Sequence, residues 1–311
     1  MEVVEGEILE ESLAPNPRGG FDAKAWLLAA RPRTLAVAIG PIAVGTAVAS
    51  VEQGARALPA FAALLGAILL QLGSNFANDV YDFEKGADTD DRIGPARATQ
   101  LGLLTPAQMR RGMLVVFGAA TLVGVYLISV AGWPIAAIGV ASIAAAIAYT
   151  GGPWPFGYHG LGDPMVFLFF GVIAVVGATY VQTLEASSMA LVASIPVGAL
   201  ATATLVVNNV RDRETDVRAG KRTLAVRLGA RGGRLEYVIL VALAYWTLPV
   251  FYWVFDQSAW MLLPLITLPR ACQLLTRVFQ NTDGPTLNEA LGATAQLGMV
   301  FSLLFAIGLW L

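Results

Sequence analysis

Residues 58–82 read LPAFAALLGAILLQLGSNFANDVYD. The run is apolar for long enough to cross a bilayer, which takes about 20 residues of helix. It then ends in Gln71, Asn75, Asn78, Asp79 and Asp82. Ionisable groups at such a place are costly and tend to mark function. Residues three, four and seven apart share a helix face, so Gln71, Asn75, Asn78 and Asp82 stack on one side. A second stretch answers the first: Asn208-Asn209-Val210-Arg211-Asp212 closes another apolar run and continues to Asp216. Asn208, Asp212 and Asp216 stack in the same way. An internal repeat and convergence on one task both account for the match.

The rest of the chain is built in the same manner. Of its 311 residues, 56% are hydrophobic and 14% charged, against about 25% charged in a soluble domain. This excludes a disordered protein, a disulfide scaffold and an ordinary soluble enzyme. Apolar runs fall near 35–52, 58–80, 112–132, 134–150, 163–182, 189–208, 235–255, 257–270 and 289–311. The expectation is an all-α polytopic membrane protein, a bundle of about nine transmembrane helices. The eighth run is the weakest, because Arg270 ends it. Gly132-Trp133-Pro134, Gly151-Gly152-Pro153 and Glu185-Ala186-Ser187-Ser188 are turn compositions between runs.

Charge placement orients the bundle. With nine spans, all but Arg56 of the 20 Lys and Arg fall on one side, which the positive-inside rule makes cytoplasmic. The N-terminus is then inside and the C-terminus outside. Glu2, Glu5, Glu7, Glu10 and Glu11, followed by Pro15 and Pro17, do not read as a signal peptide. Residues 1–22 read as a disordered acidic tail and 23–311 as a single transmembrane domain. The net charge of −2 supports no nucleic-acid partner. The single cysteine, Cys272, excludes an intrachain disulfide, and the single histidine, His159, reads as a loop residue.

Both motifs end at the same membrane face. Two facing stripes of carboxylate and amide oxygens suit Mg²⁺, a hard ion bound through one or two carboxylates plus substrate phosphates. Asp88 follows on a loop beyond Gly86. Arg92 and Arg97 come after the first motif, and Lys221 and Arg222 after the second. Cations beside a metal site of this kind make a diphosphate clamp. A cation-coupled transporter is the competing class. It would favour acids near the bilayer midplane, and these cluster at one face.

At these residues the chain resembles the UbiA superfamily of intramembrane prenyltransferases, and within it the branch that prenylates 1,4-dihydroxy-2-naphthoate. The resemblance rests on Arg31-Pro32-Arg33-Thr34, on Ser74 through Asp82 with Lys85-Gly86-Ala87-Asp88, and on Asp91 through Arg97. It continues in Tyr149-Thr150-Gly151-Gly152-Pro153, in Gly157 through Asp163, and in Asn208 through Gly229. Gly86 stands where many members have their third acid, with Asp88 two residues later, as in the naphthoate branch. Residues 150–162 contain no Lys or Arg, unlike the 4-hydroxybenzoate enzymes. Asp163 stands where the branch more often has Glu.

The resemblance implies transfer of a polyprenyl group from its allylic diphosphate to the naphthoate, with loss of CO₂, in menaquinone synthesis at a bacterial plasma membrane. It implies Mg²⁺ at Asn78, Asp82, Asp79 and Asp88, and at Asn208, Asp212 and Asp216, with Asp82 and Asp212 central. Arg92, Arg97, Lys221 and Arg222 would hold diphosphate oxygens. Arg33 would contact acceptor or diphosphate, or serve only as a positive-inside anchor. Tyr149 and Tyr158 would face the carbocation or sit as interfacial aromatics. The lipid bilayer is an expected partner and no obligate protein partner is expected. 4-Hydroxybenzoate and homogentisate remain alternative acceptors.

Overall fold

Each of the nine apolar stretches folds as helix in the computed structural model, which describes residues 22–87 and 93–311. The expected tail up to residue 21, together with Asp88 and Arg92, lies outside the described residues, as does the side chain of Arg33. Asp22 belongs to the folded part: its side chain accepts from the Lys24 and Ala25 amides and caps α1, Ala23–Ala30.

The apolar helices follow in chain order: α2 Ala36–Glu52, α3 Ala57–Glu84, α4 Pro106–Ala131, α5 Trp133–Ala148, α6 Gly162–Thr183, α7 Ser188–Arg211, α8 Leu224–Trp253, α9 Ala259–Gln280 and α10 Gly284–Trp310. Seven are long and apolar enough to cross a membrane, and α2 and α5 are shorter. Their ends follow from local chemistry. Thr105 and Gln108 form a reciprocal capping box with Pro106 in the first turn, so α4 starts six residues before its expected apolar run. Gly132, at φ 77°, separates α4 from α5.

Two helices differ more from expectation. Helix begins at Leu224 rather than 235: an amphipathic turn with Arg227 is broken at Gly229, at φ 75° and ψ 174°, from the longer part of α8, whose first turns carry Arg231 and Arg234. Arg270 does not end α9: a tight stretch, Ala259–Thr267, runs on into regular helix Leu268–Gln280. The buried face there is Ala271, Leu274 and Val278.

α7 is the central helix, buried along most of its length, and packs on α2, α6, α8 and α10. α3, α4 and α5 form a second group that meets α2 and α6. Close approaches depend on small residues, as is common between membrane helices. A Cβ on Gly171 of α6 would lie 2.7 Å from the Gly198 Cα of α7. Thr179 of α6 donates to the Gly45 carbonyl of α2 at 3.0 Å. Trp133, Trp246, Trp253, Trp260 and Trp310 are exposed at the helix ends remote from the acidic motifs, as in an interfacial aromatic belt.

The α6–α7 crossing has no room for a side chain. Gly198→Leu should therefore cost about 1–3 kcal/mol through overpacking. A lowered melting temperature in detergent checks this, and an unchanged one would mean that the helices can separate freely.

Candidate functional site

The C-terminal ends of α3 and α7 meet over a cavity of about 590 Å³, within the size range of small-molecule sites. Its deep part is apolar, with Leu70 of α3, Val125 and Ile128 of α4, Ile143 of α5, and Phe169 and Phe170 of α6. Its rim is polar. Asn78, Asp82, Arg97, Tyr149, Asn208, Asp212, Asp216 and Lys221 all line it. The helical stripes thus bring both motifs to one mouth.

Asp82 is the junction of that mouth. It is 2% exposed, and a buried carboxylate needs partners. Arg97 Nη2 lies 2.7 Å from one oxygen and Lys221 Nζ 3.3 Å from the other. The Tyr158 hydroxyl donates to that second oxygen at 2.5 Å. Arg97 also donates to the Asn78 carbonyl at 2.5 Å. Lys221 follows the second motif yet pairs with the acid of the first.

The second motif has its own cation. Arg211 grips both oxygens of Asp212, at 2.7 and 2.5 Å, and donates to Asn208 Oδ1 at 2.8 Å. Asp216 follows in the short helix Arg213–Arg218 and also lines the cavity. Asn209 lines it too, and donates to both oxygens of buried Asp163 at 3.2 and 3.4 Å.

The loop after α5 covers the rim. Lys85 donates to the Thr150 and Gly152 carbonyls at 2.6 and 3.2 Å. The Arg222 amide donates to the Tyr158 carbonyl at 2.8 Å, and Arg227 to the His159 carbonyl at 2.8 Å. The Lys85 and Lys221 ammonium groups sit 5.2 and 4.7 Å from the Tyr158 ring centroid, close enough for cation–π attraction. Tyr149 meets Phe156 edge-on at 5.4 Å. His159 is a loop residue stacked on Trp154 at 4.4 Å.

Several expected residues are placed elsewhere. Asp79 does not line the cavity. One position on from Asn78, it faces another side of α3, is fully buried, and accepts from the amide and hydroxyl of Thr99. Asn75 ties α3 to the turn before α2, donating to the Ala30 carbonyl and Thr34 hydroxyl at 2.9 and 3.0 Å. The Arg222 side chain is exposed and outside the lining. Arg31 lines the cavity from a left-handed backbone position at φ 50°. Arg31, Asn209 and Arg211 stand inside the quoted motifs but carry no expected site role there, and the hydroxyl bond from Tyr158 to Asp82 is likewise unexpected. Arg211 lies three residues from Asn208, on the same helix face.

Among the described residues, no three His, Cys, Asp or Glu side chains converge to hold a metal by themselves. The groups on the rim able to ligate a cation, on Asn78, Asp82, Asn208, Asp212 and Asp216, nevertheless offer oxygens, which fits Mg²⁺ held by one or two carboxylates and completed by substrate phosphate. Burial pushes the Asp216 carboxyl up to about 7; Lys221 opposes this, while Asp212 and Asp82 add to it. A cation among these acids would relieve that cost.

A model of the UbiA prenyltransferase family matches residues 38–309. A 1,4-dihydroxy-2-naphthoate octaprenyltransferase of Haemophilus influenzae is 37% identical over 294 residues, 92% of this chain and 96% of that one. Its counterpart in Mycobacterium tuberculosis is 37% identical, over 90% of this chain and 95% of that one. The structure of a UbiA homolog from Archaeoglobus fulgidus bound to GPP and Mg²⁺ superposes with a TM-score of 0.63 at 15% identity, covering 90% and 99% of the two chains.

With burial holding the Asp216 carboxyl up to about 7, its anionic fraction grows between pH 6 and 8, so divalent-cation affinity should rise over that range, and Asp216→Asn should flatten that rise. Calorimetric titration across this range is the check. Equal slopes for both proteins would remove Asp216 from the cation site.

Proposed function

This chain belongs to the UbiA prenyltransferase family, and from that premise we propose how it works. It transfers a polyprenyl group from an allylic polyprenyl diphosphate to 1,4-dihydroxy-2-naphthoate. Diphosphate and CO₂ are lost, and demethylmenaquinol, the precursor of menaquinone, is formed. The observation that carries this reading is the joining of both Asn/Asp motifs through Asp82, Arg97 and Lys221 above an apolar cavity. Relatives 37% identical over nearly their whole length support the acceptor.

The residues divide the work. Arg97 and Lys221 hold diphosphate oxygens, exchanging Asp82 for the incoming anion. Asp82 with Asn78, and Asp212 and Asp216 with Asn208, would hold Mg²⁺; Asp88, the other expected ligand, lies outside the described residues. Bound Mg²⁺ supplies charge neutralisation of the leaving diphosphate. The allylic C–O bond breaks, and its electron pair leaves with the diphosphate. The ring carbon bearing the carboxylate bonds to the allylic carbon, and loss of CO₂ restores aromaticity. The apolar walls keep water from the cation, and the Tyr149 ring faces it. The isoprenoid tail follows the apolar part of the cavity, beside α4 and α5.

In the bilayer, nine segments cross within a single domain whose first helix is capped by Asp22. The N-terminus and the rim face the cytoplasm of a bacterial cell. The placement of all Lys and Arg but Arg56 supports that orientation.

Purified protein given geranylgeranyl diphosphate and each of three acceptors tests the reading by mass spectrometry. A decarboxylated prenyl-naphthoquinol should form from the naphthoate, and EDTA should abolish it. Asp82→Asn and Asp212→Asn should each lower kcat/KM by about 10²–10³-fold, the usual cost of losing a transition-state stabiliser. Product from 4-hydroxybenzoate or homogentisate alone would overturn the acceptor. Normal turnover in either variant would overturn the metal roles.

A further inference from the structure

Arg211 lies behind the cavity wall, the last residue of α7, with its side chain 1% exposed. It does not line the cavity, yet its guanidinium holds two groups that do. Nε and Nη2 take both oxygens of Asp212, and Nη2 also takes Asn208 Oδ1. Nη1 donates to Asn288 Oδ1 of α10 at 2.5 Å. The Asn288 amide in turn donates to the Ile93 carbonyl at 3.1 Å. Ile93 lies four residues before Arg97, the partner of Asp82.

An isolated buried pair contributes little net stability, and apolar replacement is often harmless. This arrangement does more than pair charges. Asp212 is the residue at which α7 ends, at φ −88° and ψ 2°. A carboxylate at a helix C-terminus is opposed by the helix dipole, and a break in the helix leaves its side chain unguided. A planar fork that takes both carboxylate oxygens fixes its orientation, which the single ammonium of Lys cannot do. Using the same fork for Asn208 sets the two motif residues relative to each other.

We propose that Arg211, seated by Asn288, is a positioning residue: it aims Asp212 and Asn208 at the cation–diphosphate and ties their setting to the loop that carries Arg97. The proposal rests on the prenyltransferase reading for its ligand. It requires only that the ligand be a divalent cation with a diphosphate.

The test is calorimetric binding of a non-hydrolysable thiolo analogue of geranyl diphosphate across a Mg²⁺ series, with no acceptor present. Melting temperature in the absence of Mg²⁺ and the acceptor KM are measured alongside. Loss of a group that orients metal ligands usually costs about 10–100-fold in affinity or activity. Arg211→Ala should weaken Mg²⁺-dependent binding by that amount, with the acceptor KM unchanged. Arg211→Lys, which keeps the charge but not the fork, should remain impaired. Asn288→Ala should shift binding the same way but less, and the double variant should be no worse than Arg211→Ala. Wild-type Mg²⁺ dependence in Arg211→Ala, or full rescue by Lys, would overturn the proposal. If Arg211→Ala does not fold, Arg211→Lys and Asn288→Ala decide alone, and wild-type binding in both overturns it. Wild-type protein that binds the analogue but does not prenylate the naphthoate would count against the acceptor reading and not against this one.

Discussion

A single buried carboxylate organises the end of the bundle at which α3 and α7 terminate. Asp82 cannot stay charged at 2% exposure without partners, and its partners come from three separate segments. Arg97 comes from the loop after α3, Tyr158 from the cap after α5, and Lys221 from the turn before α8. Satisfying one charge therefore joins the two motifs and closes the cap over them. The same groups that neutralise Asp82 are the ones a diphosphate would recruit.

Below that polar layer the cavity is apolar, and the division is what the chemistry requires. Charge separation needs the cations and carboxylates of the rim. An allylic cation then needs walls that do not react with it. The helices supply both because each polar stripe is confined to about the last four turns of its helix. Gly171 and Gly198 let α6 and α7 touch, so that Asn208 and Asp212 project from a helix whose flank is closed.

Much of this was legible in the sequence. Apolar runs set the helices, and polar residues at i, i+3 and i+4 set the stripes, since both are local patterns. Where amphipathy took over from plain hydrophobicity, the reading stopped short: Arg227, Arg231 and Arg234 hid the first turns of α8, and Arg270 hid the second half of α9. The helical wheel also could not tell which neighbour each face would meet. Asn75 falls on the stripe, yet ties down the Ala30 turn. Asp79, one residue from Asn78, belongs to Thr99. The bond from Tyr158 to Asp82 spans 76 positions and Asn288 reaches Ile93 across 195. Such contacts follow from the tertiary fold and leave no local signal.

The central proposal is that both motifs serve one diphosphate, with Arg97 and Lys221 turning from Asp82 to hold it. A structure of the protein with Mg²⁺ and a non-hydrolysable allylic diphosphate analogue tests this most directly. The expected result is the diphosphate between the ends of α3 and α7, contacted by Arg97 and Lys221, with Asp82 turned to a cation and Asp212 still held by Arg211. A diphosphate held by one motif alone, with the Asp82–Arg97–Lys221 cluster intact, would contradict it.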